Sequence, residues 1–118
     1  MVAYTVVDVE EAEPMWGIFR KMRLALGVSG FGINHLRLPP DREGQEHDES
    51  ELRQEEVYVI LAGSGRMVID GDDVPLVPGT WLRVDADSTR LVHSGSEGLE
   101  MIMVGGTPGA PFVHRPSL

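Results

Sequence analysis

The 118-residue chain contains no cysteine, which removes disulfides, thiolate nucleophiles and cysteine-ligated zinc or iron–sulfur clusters from consideration. Lysine is nearly absent as well: Lys21 stands alone beside nine arginines, a bias we assign to base composition before function. Ten basic against nineteen acidic residues leave a net charge of −9. That balance repels phosphate backbones and argues against nucleic acid as a partner. Long apolar runs are missing too. No stretch approaches the roughly 18 apolar residues of a membrane span, and the N-terminal MVAYTVVDVEEAE lacks the basic region of a secretory signal, so the expectation is a cytoplasmic protein with no membrane partner. No internal repeat or low-complexity tract interrupts the chain. What is present suffices for one folded unit: 42% apolar residues and a length typical of a single domain, here 1–118.

Strand and turn signals dominate. Tyr4 to Val9 reads as a short β run, and Glu10, Glu11, Glu13 and Pro14 mark its end and a helix start. From Met15 to Leu26, Ile18, Phe19, Met22 and Leu26 recur at helical steps, and Gly27 is placed to close that helix. Residues 1–30 are thus expected to give an N-terminal strand and one short helix. Seven β-like runs follow, at Phe31–Leu38, Glu55–Ala62, Arg66–Asp70, Val74–Val77, Trp81–Val84, Thr89–His93 and Leu99–Val104. Asp70-Gly71 reads as a tight hairpin and Gly63-Ser64-Gly65 as another reversal. The fold class is all-β: a small barrel or sandwich, closed so as to leave few exposed strand edges, with its core over about 31–104 and an extended tail over 105–118.

The most informative residues cluster at Gln45-Glu46-His47-Asp48-Glu49, Glu55 to Gly63, and Val77-Pro78-Gly79. Residues two apart on a strand share a face, so His47 and Glu49 can project together and Glu56 can reach the same space from a neighbouring strand. Here the chain resembles the cupin superfamily, whose first motif is G-x5-H-x-H-x(3,4)-E-x6-G and whose second is G-x5-P-x-G-x2-H-x3-N. Glu56 to Gly63 reproduces E-x6-G, His47 takes the first histidine position, Glu49 the second, and Asp41 the opening glycine. Six residues, Ser50 to Glu55, separate Glu49 from Glu56, so that loop is enlarged. In the second motif Gly79 fits, whereas Asp85, Asp87, Arg90 and Ser94 occupy the proline, second glycine, histidine and asparagine positions. The resemblance covers about Phe31 to Val104 and implies a small single-domain cupin barrel (a double-stranded β-helix or jelly roll), commonly a homodimer. It implies no particular reaction, because one barrel hosts many.

The same resemblance implies a metal site of three histidines and one glutamate, suited to iron, manganese, nickel or zinc. Only His47 and Glu56 match it. Glu49 can still ligate as a carboxylate, but Arg90 cannot donate a lone pair and its charge opposes a bound divalent ion. Three readings stay open: a divalent transition metal on His47, Glu49 and Glu56 in an oxygenase or isomerase with Tyr58 as proton donor; a metal-free pocket of His47, Glu49, Glu56, Tyr58 and Arg90 that binds a small polar molecule; and a structural Arg90–Glu56 ion pair. The first two make opposite demands on the loop Asp41 to Glu56, with eight acidic and two basic residues, which attracts cations and repels anions. Carboxylates next to His47 are expected to raise its pKa. His93, three residues after Arg90, is expected on the opposite face, His114 on the surface, His35 on either side, and Trp16 and Trp81 in core or interface space.

Overall fold

A computed structural model describes residues 3–109 and 112–113. The sheet begins later than Tyr4. Residues 4–8 form no strand, and Asp8 instead caps a 3-10 turn at Val9–Glu11, its side chain accepting from the Glu10 N–H at 2.9 Å while the Glu11 carboxylate accepts from the Asp8 N–H at 3.1 Å. The helix expected from Met15 to Leu26 is cut to α1, Met22–Leu26, closed by Gly27 at φ +77 with its N–H on the Arg23 carbonyl. Its first half is a hairpin, β1 (Pro14–Met15) and β2 (Phe19–Arg20), turning through Trp16 at φ +52 and Gly17 at φ +74. Pairing explains the loss: Phe19 and Arg20 add to the sheet opposite Leu36 and His35, and that tertiary ladder outweighs a modest local helix propensity. Glu10 clamps this segment to the barrel, paired with the buried Arg20 at 3.1 Å and with Arg37 at 3.0 Å, while Arg37 also holds Glu100 at 2.8 Å.

The remaining strands are β3 (Gly32–Leu38), β4 (Glu55–Ile69), β5 (Asp72–Leu76), β6 (Trp81–Val84) and β7 (Arg90–Gly106). They form one antiparallel sheet in the order β1-β2-β3-β7-β4-β5, with β6 on the other side of the first half of β4. Asp70-Gly71 is the expected two-residue turn, both residues at positive φ and flanked by the pair Ile69–Asp72.

Gly63-Ser64-Gly65 is a bulge inside a continuous strand, not a reversal. The β4–β7 register shifts between Ile60 and Ala62 and again between Gly63 and Gly65, and Ser94 to Gly98 bulges opposite. The backbones cross so closely there that a Cβ on Gly63 would lie 2.0 Å from the Gly98 carbonyl oxygen, and one on Gly65 would lie 2.2 Å from that of His93. The bulge also switches the inward parity: Glu56, Tyr58 and Ile60 face in before it and Met67 after, while Arg90, Val92 and Ser94 give way to Leu99, Met101 and Met103. Each long strand therefore serves both layers of the barrel, and one core of Leu36, Leu38, Ile60, Met67, Leu76, Val84, Leu99 and Met101 joins them. Each such side chain contributes roughly 1.5–3 kcal/mol by leaving water. The extended tail starts at Thr107 rather than 105, since Gly105 and Gly106 end β7. Half of the expected tail, His114 included, lies outside the described residues. Among them no helix is long and apolar enough to cross a membrane.

The crossing gives a prediction. Gly63→Ala, which adds a Cβ against backbone at φ +79, should lower unfolding free energy by about 3 kcal/mol or more, because left-handed strain and overpacking each cost on the order of 1–3 kcal/mol. Gly71→Ala, at φ +88 in open space, should cost about 1 kcal/mol by strain alone. Equal losses in urea unfolding would contradict the crossing.

Candidate functional site

Glu56 and Tyr58 face inward from the start of β4, and Arg90 from the start of β7. Residues 41–49 run alongside β7 as an irregular strand. Its ties are the mutual backbone bonds of His47 and Arg90, at 3.0 and 2.9 Å, with Gly44 N–H on the Val92 carbonyl and Glu49 N–H on that of Ala86. Asp41, standing where the motif has glycine, adopts φ +55, a conformation aspartate tolerates better than most residues. This ladder brings His47 opposite Arg90 and both beside Glu56; of the five residues proposed from the sequence, His47, Glu49, Tyr58 and Arg90 line one hollow and Glu56 contacts three of them from behind it.

Glu56 is the hub. The Tyr58 hydroxyl donates to its Oε1 at 2.6 Å, Arg90 Nη2 lies 3.4 Å from the same atom, and His47 Nε2 lies 3.7 Å away. Glu49 Oε1 stands 3.4 Å from His47 Nε2. Arg90 is 1% exposed; its Nη1 donates to the Ser88 carbonyl at 2.8 Å and its Nε to the Tyr58 hydroxyl at 3.3 Å. Its Nη2 is buried with no hydrogen-bond partner. The Gln45 carbonyl at 3.0 Å accepts from His47 Nδ1, so Nδ1 carries the hydrogen and Nε2 is the atom turned to the carboxylates.

The electrostatics follow from these contacts. The Glu56 carboxylate above all, and the Gln45 carbonyl, raise the His47 pKa from its ordinary 6.5 against an opposing cost of burial. Burial pushes Glu56 upward, but His47, Tyr58 and Arg90 together outweigh it and hold the carboxylate ionised below its usual range. Glu49 is raised, first by burial and then by the Glu56 charge. Burial, then Glu56, drive the Tyr58 hydroxyl far above 10, which keeps it a hydrogen donor at any physiological pH.

One imidazole nitrogen and two carboxylates, with ligand atoms all within 4.8 Å of one another, are a donor set that suits a borderline divalent ion. The fixed Nδ1–H leaves Nε2 free to ligate, so these residues fit a metal. Arg90 does not ligate; it offsets one carboxylate charge.

The group opens into a cavity of about 820 Å³. Its walls, which sequence reasoning missed, include Met67, Met101 and Met103, and its mouth includes Met15, Trp16 and Lys21 of the N-terminal hairpin region. The helical spacing of residues 15–26 conceals the mouth, which the β1–β2 hairpin forms. Trp16 and Trp81, 77% and 73% exposed, are not core residues: one tips a turn and the other faces out from edge strand β6. His35 lies outside the cavity on Glu100 at 2.8 Å. His93 faces away from Arg90, as alternation predicts, with Glu43 at 3.7 Å. Ser94, in the asparagine position, braces the corner by donating to the Pro39 carbonyl at 2.6 Å and accepting from the Arg42 N–H at 2.8 Å.

No protein-family model and no curated protein sequence matches the chain. Solved structures do. A cupin protein from Bacteroides fragilis superposes with a TM-score of 0.82 at 23% identity, covering 98% of this chain and 93% of that one. A protein from Thermotoga maritima described as a predicted oxalate decarboxylase gives 0.71 at 23% identity, over 86% and 97%. A Cupin 2 conserved barrel domain protein from Salinispora arenicola gives 0.71 at 15% identity, over 92% and 91%. The fold is therefore that of the cupins, as the motif remnants implied.

The hub sets a pH prediction. In NMR titration the His47 imidazole should titrate above 6.5, and Glu56→Gln should bring it down. The stability this pairing contributes is present below pH 6.5 and lost as pH rises through the raised value. An imidazole that titrates identically in both proteins would contradict the pairing.

Proposed function

We propose that the protein binds a small organic ligand in the barrel cavity, with Arg90 receiving a carboxylate or other oxyanion of that ligand. One observation carries the reading: Arg90 lines the cavity, and its Nη2 is buried with no hydrogen-bond partner. A buried donor left unsatisfied costs about 1–3 kcal/mol, more for a charged group, and an acceptor supplied by a ligand recovers that cost. Glu56 balances the charge without bonding Nη2, while Tyr58 and the Ser88 carbonyl fix the guanidinium in place. His47 and Glu49 complete the polar surface. We further take the protein as a homodimer, a reading favoured by the exposed Trp81 on edge strand β6 and by the exposed Val77 and Leu61, and as cytoplasmic.

A second reading, favoured by the convergence of His47, Glu49 and Glu56, is a metal-dependent enzyme, an oxygenase or isomerase. These three residues would hold a divalent transition metal, which supplies Lewis-acid polarisation of a bound oxygen. In that case Arg90 orients the substrate's anionic group, while Tyr58, the proton donor expected from the sequence, is held by burial and Glu56 as a hydrogen-bond donor and is a weak acid.

Two experiments separate the readings. In a thermal-shift screen, small organic anions should raise the midpoint by on the order of 10 °C at a hundredfold excess over Kd, equivalent to about 2.7 kcal/mol, and Arg90→Gln should abolish the shift. Stabilisation by no small polar molecule of either charge would overturn binding. Elemental analysis of untagged protein tests the metal: His47→Ala should weaken retention by at least about 10–100-fold. Below about a tenth of an equivalent, with no gain on adding iron, manganese, nickel or zinc, the enzyme reading falls.

A further inference from the structure

We infer that the ligand is a monocarboxylate with an extended apolar body, its carboxylate on Arg90 and its hydrocarbon against a methionine wall; this rests on the binding reading above. The strand register divides the cavity into a polar end and an apolar end. Two residues beyond Arg90 on β7 the inward side chain is Val92, opposite Met67; two residues beyond Tyr58 on β4 it is Ile60, opposite Met101. The first inward step from Arg90 and from Tyr58 thus replaces a hydrogen-bonding group with hydrocarbon, each faced by a methionine. Four of the six methionines in the chain, Met15, Met67, Met101 and Met103, line this one hollow. Unbranched, polarisable side chains adapt to ligands of varied shape but offer hydroxyl groups almost nothing to bond.

Three ligand classes are disfavoured by this layout. A sugar or other polyol would bury hydroxyls against the methionines without partners. A two- or three-carbon acid would leave most of a cavity of about 820 Å³ unfilled, a volume within the range of roughly 300–1,000 Å³ that encloses drug-sized molecules. A dicarboxylate would carry its second charge toward a rim where the carboxylates of Glu43 and Asp48 outnumber the one cation, Lys21. A single carboxylate escapes that repulsion in part because Arg90 is desolvated and acts at short range, whereas the rim acids are exposed and screened. At the mouth, Trp16 lines the cavity from the tip of the β1–β2 hairpin, where the far end of an extended body would reach it.

Calorimetry with acetate, butanoate, hexanoate and octanoate tests the inference on the unaltered protein. Kd should fall about fourfold per methylene, the gain from burying one CH2, and suberate and gluconate should each bind at least about tenfold more weakly than octanoate. In a Trp81→Phe protein, where Trp16 is the only tryptophan left, octanoate should shift the emission and acetate should not. Arg90→Gln should reduce octanoate binding to the level of 1-octanol; if that variant does not fold, the chain-length series decides. A flat series with Arg90-dependent acetate binding would overturn the apolar body and leave the binding reading intact. Gluconate binding more tightly than octanoate would do the same. No binding by any of these probes, together with a silent thermal-shift screen, would remove both.

Discussion

A guanidinium with 1% exposure is the constraint around which the barrel interior is arranged. A permanent cation cannot shed its charge on burial as lysine can, so its surroundings must supply compensation, and here they do so unevenly. Glu56 answers the charge, Ser88 and Tyr58 take two of its nitrogens, and the third nitrogen has no hydrogen bond. Removing the guanidinium would strand Glu56 in turn, because the ionised state of that carboxylate depends on His47, Tyr58 and Arg90 outweighing burial. The site is one coupled unit rather than a set of independent ligands.

Backbone geometry far from the polar end sets this unit in place. The bulges at Gly63–Gly65 and Ser94–Gly98 let β4 and β7 each cross from one layer to the other. They also decide which residues face inward: without the parity switch, Met101 and Met103 on β7 would point outward while Arg90 pointed in. The apolar wall and the buried cation are thus consequences of the same close crossing, and the glycines there make that crossing sterically feasible. The N-terminal hairpin adds the mouth, tied to the barrel by Glu10, Arg20 and Arg37.

Much of the barrel was legible in the sequence because period-2 alternation and turn chemistry are local signals. β6 and the Asp70-Gly71 turn were read directly, and the shared parity of Glu56 and Tyr58 gave their inward direction. What failed was nonlocal. Ile18, Phe19, Met22 and Leu26 are spaced as a helix face, yet Phe19 is claimed by pairing with Leu36. Gly63-Ser64-Gly65 has the composition of a turn, and only the partner strand makes it a bulge. For the site, the residue types and their convergence were readable from motif positions. The orientation of Arg90 was not, because it depends on the Ser88 carbonyl and on the His47–Arg90 backbone pairing, which a single sequence does not announce.

The central claim is that Arg90 Nη2, ion-paired with Glu56 but not hydrogen-bonded, takes a ligand oxygen. A crystal structure of the protein with bound octanoate tests it most directly. The account predicts a carboxylate oxygen about 2.7–2.9 Å from Arg90 Nη2, the distance of a charge-assisted bond, with the chain lying along Met67 and Met101. A carboxylate bound elsewhere, with Arg90 Nη2 bonded to Glu56 alone, would contradict it.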